Sequence, residues 1–393
     1  MRILLAAKTM GVGGLERIVV ALARELHGRG HRVWVVSSGG DLLPELRRAG
    51  AEHILAPLEI TSPIGVAQAA RQIRRVIVEH RIDLVHSFSA TASVAINLAL
   101  RVRGSDGLDA VRVVSSPMGL QNSPRELRVT TWLRNWFLAL GAEQILVISP
   151  EIRRHLRRVG AREQTLVDFN FVGLDVDTFK PAASTAEGVS SIDDGRSVRA
   201  EFGFAPDALL ISTIGALHPR KSHELFVEAA EIVSTREPRA CFLVIGDGEL
   251  RPELEALARS KGLQGRLVFT GVREDIARLL SATDVYVKPG IVEGFIGITV
   301  LEALGSGKPV VAFDTEDVKL ALTDGETGLI VPNGDVGRLA DQIVYLLRNP
   351  DVGRRLGQAG QRVVTERFDF GVLARRLEEF YQSVLERPAA LTP

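Results

Sequence analysis

Two adjacent cations, Arg220 and Lys221, follow an apolar run that ends at Gly215. Ligands of open α/β sheets bind beyond the carboxyl ends of the strands, and the pair also stands just before a helical pattern. Cations are unfavourable beside the positive end of a helix dipole unless an anion lies between them. The segment therefore predicts a diphosphate site, with a solvated surface pair as the alternative.

A second segment carries two acids, Glu293 and Glu302, around a loop with Gly294 and Gly297 and the start of a helix. The first N–H groups of a helix have no partner inside it and suit phosphate oxygens. We expect Glu302, in the first helical turn, to bind vicinal ribose hydroxyls and Glu293 to reach a sugar hydroxyl. Capping of the helix by the two acids is the alternative.

A third loop follows the first apolar run and contains Gly13 and Gly14. Glycines there let backbone N–H groups approach a ligand, and the next helix start favours an anion. A nicotinamide site is not favoured, because Glu16 stands where the fingerprint has its third glycine and the second strand ends in serines instead of an acid. A plain tight turn is the alternative at this loop.

Composition limits the classes of function. The 393 residues suffice for two domains, and 48 basic side chains balance 48 acidic ones. There is therefore no global attraction to nucleic acid or anionic membrane, and a charged ligand needs a local cluster. The single cysteine, Cys241, excludes an internal disulfide and a multi-cysteine metal site.

No run approaches the roughly 20 apolar residues of a membrane span, and the short run after Arg2 is a first strand instead of a leader. We expect a cytoplasmic protein. Arginines flank Trp132 and Trp136 on one predicted helix, which leaves peripheral contact with the inner membrane open. Packing of this helix on its own sheet is the favoured interpretation.

Short apolar runs alternate with amphipathic stretches, which indicates parallel strands buried on both faces and separated by helices. The sequence predicts an α/β protein with two doubly wound sheets, joined by a polar linker at 181–206. We place the domains at 1–183 and 184–369, with a terminal helix at about 370–390. Predicted strands are 3–7, 33–38, 53–55, 84–88, 111–116, 144–149, 209–215, 241–246, 266–271, 285–289, 309–313 and 328–332, and the clearest helices are 15–27, 66–79, 91–102 and 123–140.

The run EGFIGITVLEALGSGKPVV at 293–311 resembles the corresponding segment of retaining GT-B glycosyltransferases of the family 4, or group 1, type. Matches in the family's order and spacing extend over the whole chain. They include GGLER at 13–17, DLVHS at 83–87, GLDVDTFKP at 173–181, GALHPRKSHELFVEAA at 215–230 and FDFGVLARRLEEFY at 368–381.

The resemblance implies two Rossmann-like domains facing each other across a cleft, with the C-terminal helix crossing back to the first. It implies a nucleoside-diphosphate sugar bound mainly by the second domain and a sugar-containing acceptor bound mainly by the first. A UDP-sugar is favoured, a GDP-sugar stays open, and no cofactor is expected. By position, Lys221 binds the diphosphate, Glu302 the ribose and Glu293 the donor sugar. The implied donor-binding residues are Gly13, Gly14, Gly215, Gly294, Phe295, Gly297, Ile298, Thr299, Val300 and Glu302, and Glu16 and His86 are assigned to the acceptor or sugar side.

Three departures from the family pattern bear on the site. Eight residues separate Glu293 from Glu302 where the family has seven, and Ala216 replaces a common arginine, whose charge we assign to Arg220. The histidine expected after the fifth strand is missing near Pro117, which leaves His86 as a partial substitute.

We expect stabilisation of charge on the leaving β-phosphate by Lys221, Arg220 and helix amides, and no catalytic metal. Asp175 and Asp177 imitate a metal-binding pair, but a turn is favoured. A sugar-nucleotide 2-epimerase of the same fold and an inactive nucleotide-sugar-binding module remain as alternatives. A phosphorylase would need a pyridoxal phosphate lysine and a much longer chain.

Overall fold

A computed structural model describes residues 1–11, 13–59, 62–101, 108–116, 142–148, 150–169, 172–180, 191–291 and 297–387. The chain forms two compact units, one of Met1–Phe171 with Phe370–Pro393 and the other of Val172–Asp369. The sequence placed the boundary at 183/184 and the terminal helix at about 370–390.

The first unit is built on a seven-stranded parallel sheet in the order β3-β2-β1-β4-β5-β6-β7. Its central strands are mostly apolar and almost entirely buried, as is typical of parallel strands covered on both faces. The strands are β1 Arg2–Ala6, β2 Arg32–Ser37, β3 Glu52–Leu55, β4 Leu84–Ser87, β5 Arg112–Ser115, β6 Gln144–Val147 and β7 Leu166–Asp168. The described helices are α1 Gly14–Gly28, α2 Leu43–Arg48, α3 Pro63–His80, α4 Ala90–Arg101, α5 Pro150–Arg158 and the C-terminal α14 Phe370–Glu386.

The second unit has a six-stranded parallel sheet in the order β10-β9-β8-β11-β12-β13. One buried apolar cluster of this unit includes Phe226, Phe242 and Phe313. A second includes Tyr286, Val300 and Phe368. The strands are β8 Leu209–Ile214, β9 Ala240–Ile245, β10 Leu267–Gly271, β11 Val285–Lys288, β12 Val310–Phe313 and β13 Leu329–Val331. The helices are α6 Val176–Phe179, α7 Ser191–Glu201, α8 His223–Arg236, α9 Arg251–Ser260, α10 Ile276–Ser281, α11 Ile298–Gly305, α12 Val336–Arg348 and α13 Pro350–Arg367.

The two doubly wound parallel sheets confirm the predicted α/β fold class. Two details differ from the sequence expectations. Part of the predicted linker forms α7, and the three-residue strand β7 was not anticipated. The predicted helix 123–140 lies outside the described residues. Among the helices that the structure describes, none has the length and apolar character to cross a bilayer.

Helix α14 packs against α1 within the first unit. Arg29 donates a hydrogen bond to the carbonyl of Gly371 over 3.0 Å, and His31 Nε2 lies 2.9 Å from Glu378 Oε1. The buried face of α14 includes Leu373, Leu377 and Tyr381. These contacts make the last helix of the chain part of the N-terminal unit.

Candidate functional site

Strand β8 marks the topological switch point of the second sheet. It pairs with β9 on one side and with β11 on the other, so the chain winds in opposite directions from this strand. Tyr286 of β11 is level with Ser212 of β8, which brings the carboxyl ends Lys288 and Ile214 to the same edge. Ligands of doubly wound folds bind beyond this edge. The two segments with the strongest sequence signals, the loops after β8 and after β11, both begin there.

Backbone hydrogen bonds fix the loop after β8. Gly215 N donates to the carbonyl of Ile245 over 2.9 Å, and Leu217 N donates to that of Asp247 over 2.9 Å. A 3₁₀ turn, Pro219–Lys221, follows, with Pro219 at its first position. The loop therefore holds Arg220 and Lys221 at the carboxyl edge of the sheet, just before α8.

Lys221 and Arg220 differ in exposure. Lys221 is half-buried, and a Cβ built on Gly215 would lie 3.7 Å from Lys221 Cδ, so the lysine stem packs beside this glycine. Arg220 is exposed. Ser222, which follows, adopts a left-handed conformation with φ of 49°. The two cations are neighbours in sequence, but only the lysine is partly enclosed by the protein.

Two glycines that sequence analysis did not assign to the site shape this loop. A Cβ on Gly246, whose φ is 137°, would lie 2.1 Å from the carbonyl oxygen of Gly215. A Cβ on Gly248 would lie 2.6 Å from that of Leu217. Both positions need glycine because the two backbones touch. The GDG pattern at 246–248, directly after β9, was the available signal.

His223, the first residue of α8, is a further residue that sequence analysis did not assign. It is 1% exposed, and its ring lies beside Gly215. Burial lowers the pKa of His223 to about 4, and the charge of Lys221 acts in the same direction. The imidazole is therefore neutral at pH 7 and adds no charge to the two neighbouring cations.

Helix α11 begins earlier in the sequence than expected, and this corrects the position of Glu302 along the helix. Gly297 is its N-cap and Ile298 its first residue. Glu302, half-buried, is the fifth residue, so it lies in the second turn instead of the first. Residues four apart share a helix face, so Glu302 lies on the same side as Ile298 and Thr299, which are also half-buried.

Val300 is not available to bind the donor, which corrects its assignment to the donor-binding residues. Its amide donates to the carbonyl of Gly297 over 3.0 Å, and its side chain is 0% exposed within the core of the unit. The helix-start amides left for an anion among the described residues are those of Ile298 and Thr299. Glu293, Gly294 and Phe295 lie outside the described residues.

The glycine loop of the first unit leads into α1, with Gly13 as the N-cap. Glu16 folds back over this cap. Its Oε2 lies 2.3 Å from the position of a Cβ on Gly13, and its Oε1 accepts a hydrogen bond from Thr9 Oγ1 over 3.3 Å. Gly14 is the first residue of the helix, and a Cβ at this position would stand in open space. The half-buried Glu16 therefore contacts the first turn of α1.

His86 does not offer a surface to a ligand, which corrects its assignment to the sugar side. The residue is 0% exposed on β4, its Nδ1 lies 2.5 Å from Tyr381 Oη, and its Nε2 lies 2.7 Å from Ser116 Oγ. Burial lowers the pKa of His86 to about 3. The histidine is a neutral link between β4 and the C-terminal helix α14.

The Asp175–Asp177 segment forms the start of α6 in place of the favoured turn. Asp177 makes an ion pair of 2.6 Å with Lys180, and this lowers the pKa of its carboxyl. Among the described residues, no group of three His, Cys, Asp or Glu side chains is arranged to hold a metal ion.

Two family models match the chain. The model described as Glycosyl transferases group 1 matches residues 208–349, which include the site of the second unit. The model described as Glycosyltransferase Family 4 matches residues 12–172.

Relatives and solved structures agree with these matches. A GDP-mannose-dependent alpha-(1-6)-phosphatidylinositol monomannoside mannosyltransferase of Mycobacterium tuberculosis is 28% identical over 384 residues, covering 94% of each chain. The putative glycosyltransferase EpsD of Bacillus subtilis is 26% identical over 327 residues, 80% of each chain. The structure of Anabaena HepE in complex with UDP-glucose superimposes with a TM-score of 0.77 at 19% identity, covering 98% of this chain and 100% of that one.

These matches confirm the resemblance drawn from the sequence motifs, and the likeness to HepE confirms the GT-B fold. The chain belongs to the glycosyl transferases group 1 of glycosyltransferase family 4, retaining GT-B enzymes that transfer a sugar from a nucleotide sugar to an acceptor.

Proposed function

We propose that the donor diphosphate binds between Lys221 and the N-terminus of α11, with Glu302 on the ribose. The observation that carries this proposal is the pairing of β8 with β11, which sets the two loops side by side at the carboxyl edge of the sheet. Glu293 is proposed to contact the donor sugar, and Arg220 to add positive charge from the exposed side of the loop.

The proposed chemistry depends on positioning and electrostatics. As the bond from the sugar to the diphosphate breaks, negative charge grows on the leaving β-phosphate. The Lys221 ammonium and the amides of Ile298 and Thr299 stabilise that charge more in the transition state than in the ground state. The leaving phosphate accepts the proton of the attacking hydroxyl, so acceptor attack and departure occur on the same face and the anomeric configuration is retained.

For the donor we propose a UDP-sugar, with a GDP-sugar as the alternative. HepE was solved with UDP-glucose, and the mycobacterial relative uses GDP-mannose. A thermal-shift panel of UDP-, GDP- and ADP-sugars tests the choice. A ligand present at 100 times its dissociation constant stabilises a one-site protein by about 2.7 kcal/mol. A rise in melting temperature with GDP-mannose and none with UDP-sugars would favour a GDP-sugar over a UDP-sugar as the donor.

For the acceptor we propose a glycan or a sugar-bearing lipid, bound mainly by the first unit, at the cytoplasmic face of the membrane. The phosphatidylinositol mannoside named for the mycobacterial relative supports this class. Radiolabelled donor incubated with membrane extract and with soluble oligosaccharides distinguishes lipid-linked from soluble acceptors. Label that partitions only with the aqueous fraction would argue against a lipid-linked acceptor.

We also propose that the reaction needs no metal, since cationic side chains and helix amides neutralise the diphosphate. Turnover that persists in excess EDTA supports this. Complete loss that manganese or magnesium restores would return attention to Asp175 and Asp177.

A further inference from the structure

A buried ion pair joins the carboxyl ends of two neighbouring strands beside the proposed donor site. Lys288 is the last residue of β11, and Asp317 lies beyond the end of β12. Their side chains are 5% and 2% exposed, and Lys288 Nζ lies 3.1 Å from Asp317 Oδ2. The attraction is that of an ion pair alone, since the contact does not have hydrogen-bond geometry. No role in the site was assigned to either residue from the sequence.

The ammonium of Lys288 also holds two backbone segments together. It donates to the carbonyl of Gly290 over 3.1 Å, at the beginning of the loop that continues to Glu293 and α11. It donates to Thr315 Oγ1 over 3.4 Å, in the segment after β12. A single cation therefore contacts the loop after β11 and the loop after β12 at once.

Tyr286 contacts the other end of the same loop. It lies two residues before Lys288, so both side chains point to the same face of β11. Its hydroxyl, on a side chain that is almost fully buried, donates to Thr299 Oγ1 over 2.9 Å. Thr299 is the second residue of α11. Strand β11 thus holds residue 290 with one side chain and residue 299 with the other.

A gain in folding stability does not by itself explain a buried ion pair of this kind. Two buried charges lose their hydration, and well-packed apolar residues of similar volume are commonly as stable or more so. Removal of one partner, in contrast, leaves an uncompensated buried charge. An ion pair that also donates to a loop carbonyl supplies directional contacts that apolar side chains lack.

We propose that Lys288, fixed by Asp317, and Tyr286 are positioning residues for the donor loop: they hold the two ends of the stretch that carries Glu293. The inference rests on the proposed donor site. Misplacement by about 1 Å can cost on the order of 10²-fold in rate, so loss of either contact should lower turnover without removing a group that touches the substrate.

The decisive variant is the double substitution Lys288→Met/Asp317→Leu, compared with each single change. We expect both single variants to melt at lower temperature, because each leaves one buried charge unpaired. The double variant should recover the melting temperature, yet its kcat should stay about tenfold or more below wild type. Its affinity for free nucleoside diphosphate should be unchanged, since Lys221 and Glu302 are intact. Recovery of both melting temperature and kcat overturns the proposal and leaves the pair a purely structural role.

The opposite end of β11 offers a matched control. Arg199 forms an ion pair of 2.9 Å with Asp284, the residue before the strand, and Asp284 also accepts from Leu210 N. Arg199→Met/Asp284→Asn removes this pair and keeps an acceptor for the amide. We expect kcat equal to wild type, whatever the change in melting temperature. A fall in kcat as large as that of the Lys288 and Asp317 variant overturns the proposal.

Tyr286→Phe tests the second contact with the removal of one oxygen, and it remains informative if the double variant does not fold. We expect kcat to fall about tenfold, while Ser212→Ala, which removes a buried hydroxyl bonded to Thr283 over 3.0 Å, leaves kcat unchanged. Wild-type kcat in Tyr286→Phe overturns the proposal. If the proposed donor site is itself wrong, a separate measurement shows it: Glu302→Gln then binds nucleoside diphosphate as tightly as wild type.

Discussion

Lys221 combines charge with restricted freedom. Its stem packs beside Gly215 and its backbone is held in a 3₁₀ turn, where its N–H donates to the carbonyl of His218 over 2.9 Å. A cation held in this way needs little reorganisation when charge develops on a neighbouring phosphate. The exposed Arg220 lacks this support, so we assign it a smaller share of the stabilisation.

Lys221→Ala should lower kcat by on the order of 10²-fold, because it removes a charge directed at the transition state. The melting temperature should stay close to that of wild type. The matched control is Lys261→Ala in the same unit, which removes a lysine paired with Glu231 over 2.8 Å at the surface and should leave kcat unchanged. Turnover of Lys221→Ala within about threefold of wild type contradicts the assigned role.

The two acids of the donor segment should separate by role. Glu302→Gln keeps the shape but weakens charge-assisted hydrogen bonds to ribose, each worth roughly 1.5–3 kcal/mol. We therefore expect calorimetry to show weaker binding of the free nucleoside diphosphate. Glu293→Gln should spare that affinity and lower kcat with the full donor.

Glu253→Gln, an exposed substitution on α9, controls for the charge change and should match wild type in both measurements. Equal nucleoside diphosphate affinity in Glu302→Gln and wild type would remove Glu302 from the ribose. Wild-type values for Glu293→Gln would show that the extra residue between the two acids has turned Glu293 away from the sugar.

Residue types and spacing predict which chemical groups form the site, but they do not give the position of Glu302 along its helix. The start of α11 depends on Gly297 as N-cap and on the packing of Val300 and Leu301 in the core. The sequence contains no capping side chain at this point, and so Glu302 was placed one turn too early. The burial of His86 was equally invisible, because its partner Tyr381 is 295 residues away.

At the scale of elements, long apolar strands and amphipathic helices were predictable, because their periodicity is carried by many residues. Short or polar elements were not. Strand β7 has three residues, and α7 reads SIDDGRSVRAE, in which Val198 is fully buried but makes no periodic pattern. These elements owe their structure to contacts with the rest of their unit.

The link between β4 and α14 has a consequence for stability at acidic pH. Burial holds the pKa of His86 at about 3, while the unfolded chain titrates near 6.5. The contribution of the neutral His86 to the free energy of unfolding is complete well above pH 6.5 and is lost as the pH falls toward 3. The reason is that the unfolded state binds a proton that the folded state does not bind. Between pH 6.5 and 5 the free energy of unfolding should decrease by about 1.6 kcal/mol from this histidine alone, because the unfolded histidine goes from half to almost fully protonated.

Urea unfolding followed by tryptophan fluorescence measures this effect, with His86→Gln as the comparison, since glutamine does not titrate. All three tryptophans, Trp34, Trp132 and Trp136, fall within residues 1–171 of the sequence, and Trp34 is buried in the unit that contains His86. The wild-type slope with pH should exceed that of the variant by about half a proton at pH 6.5, rising to close to one proton at pH 5. Parallel curves for the two proteins between pH 6.5 and 5 would contradict a neutral, buried His86.

At the scale of the whole molecule, the two units have different proposed ligands and different spectroscopic labels. All three tryptophans fall within residues 1–171 of the sequence, whereas Lys221 and Glu302 fall within Val172–Asp369. Fluorescence therefore reports the unit proposed for the acceptor, and calorimetry reports both units.

If the donor binds mainly to Val172–Asp369, nucleoside diphosphate at 100 times its dissociation constant should stabilise that unit by about 2.7 kcal/mol. The melting temperature of the calorimetric transition that has no counterpart in fluorescence, that of the second unit, should rise. The melting temperature of the transition seen by tryptophan fluorescence should rise less. Lys221→Ala should reduce the calorimetric shift at the same ligand concentration, while Lys261→Ala should not. A ligand stabilises the unit to which it binds. A larger shift of the tryptophan transition would therefore assign the nucleotide to the first unit, at its glycine loop with Gly13 and Gly14, and would contradict the proposal that the donor binds mainly to Val172–Asp369.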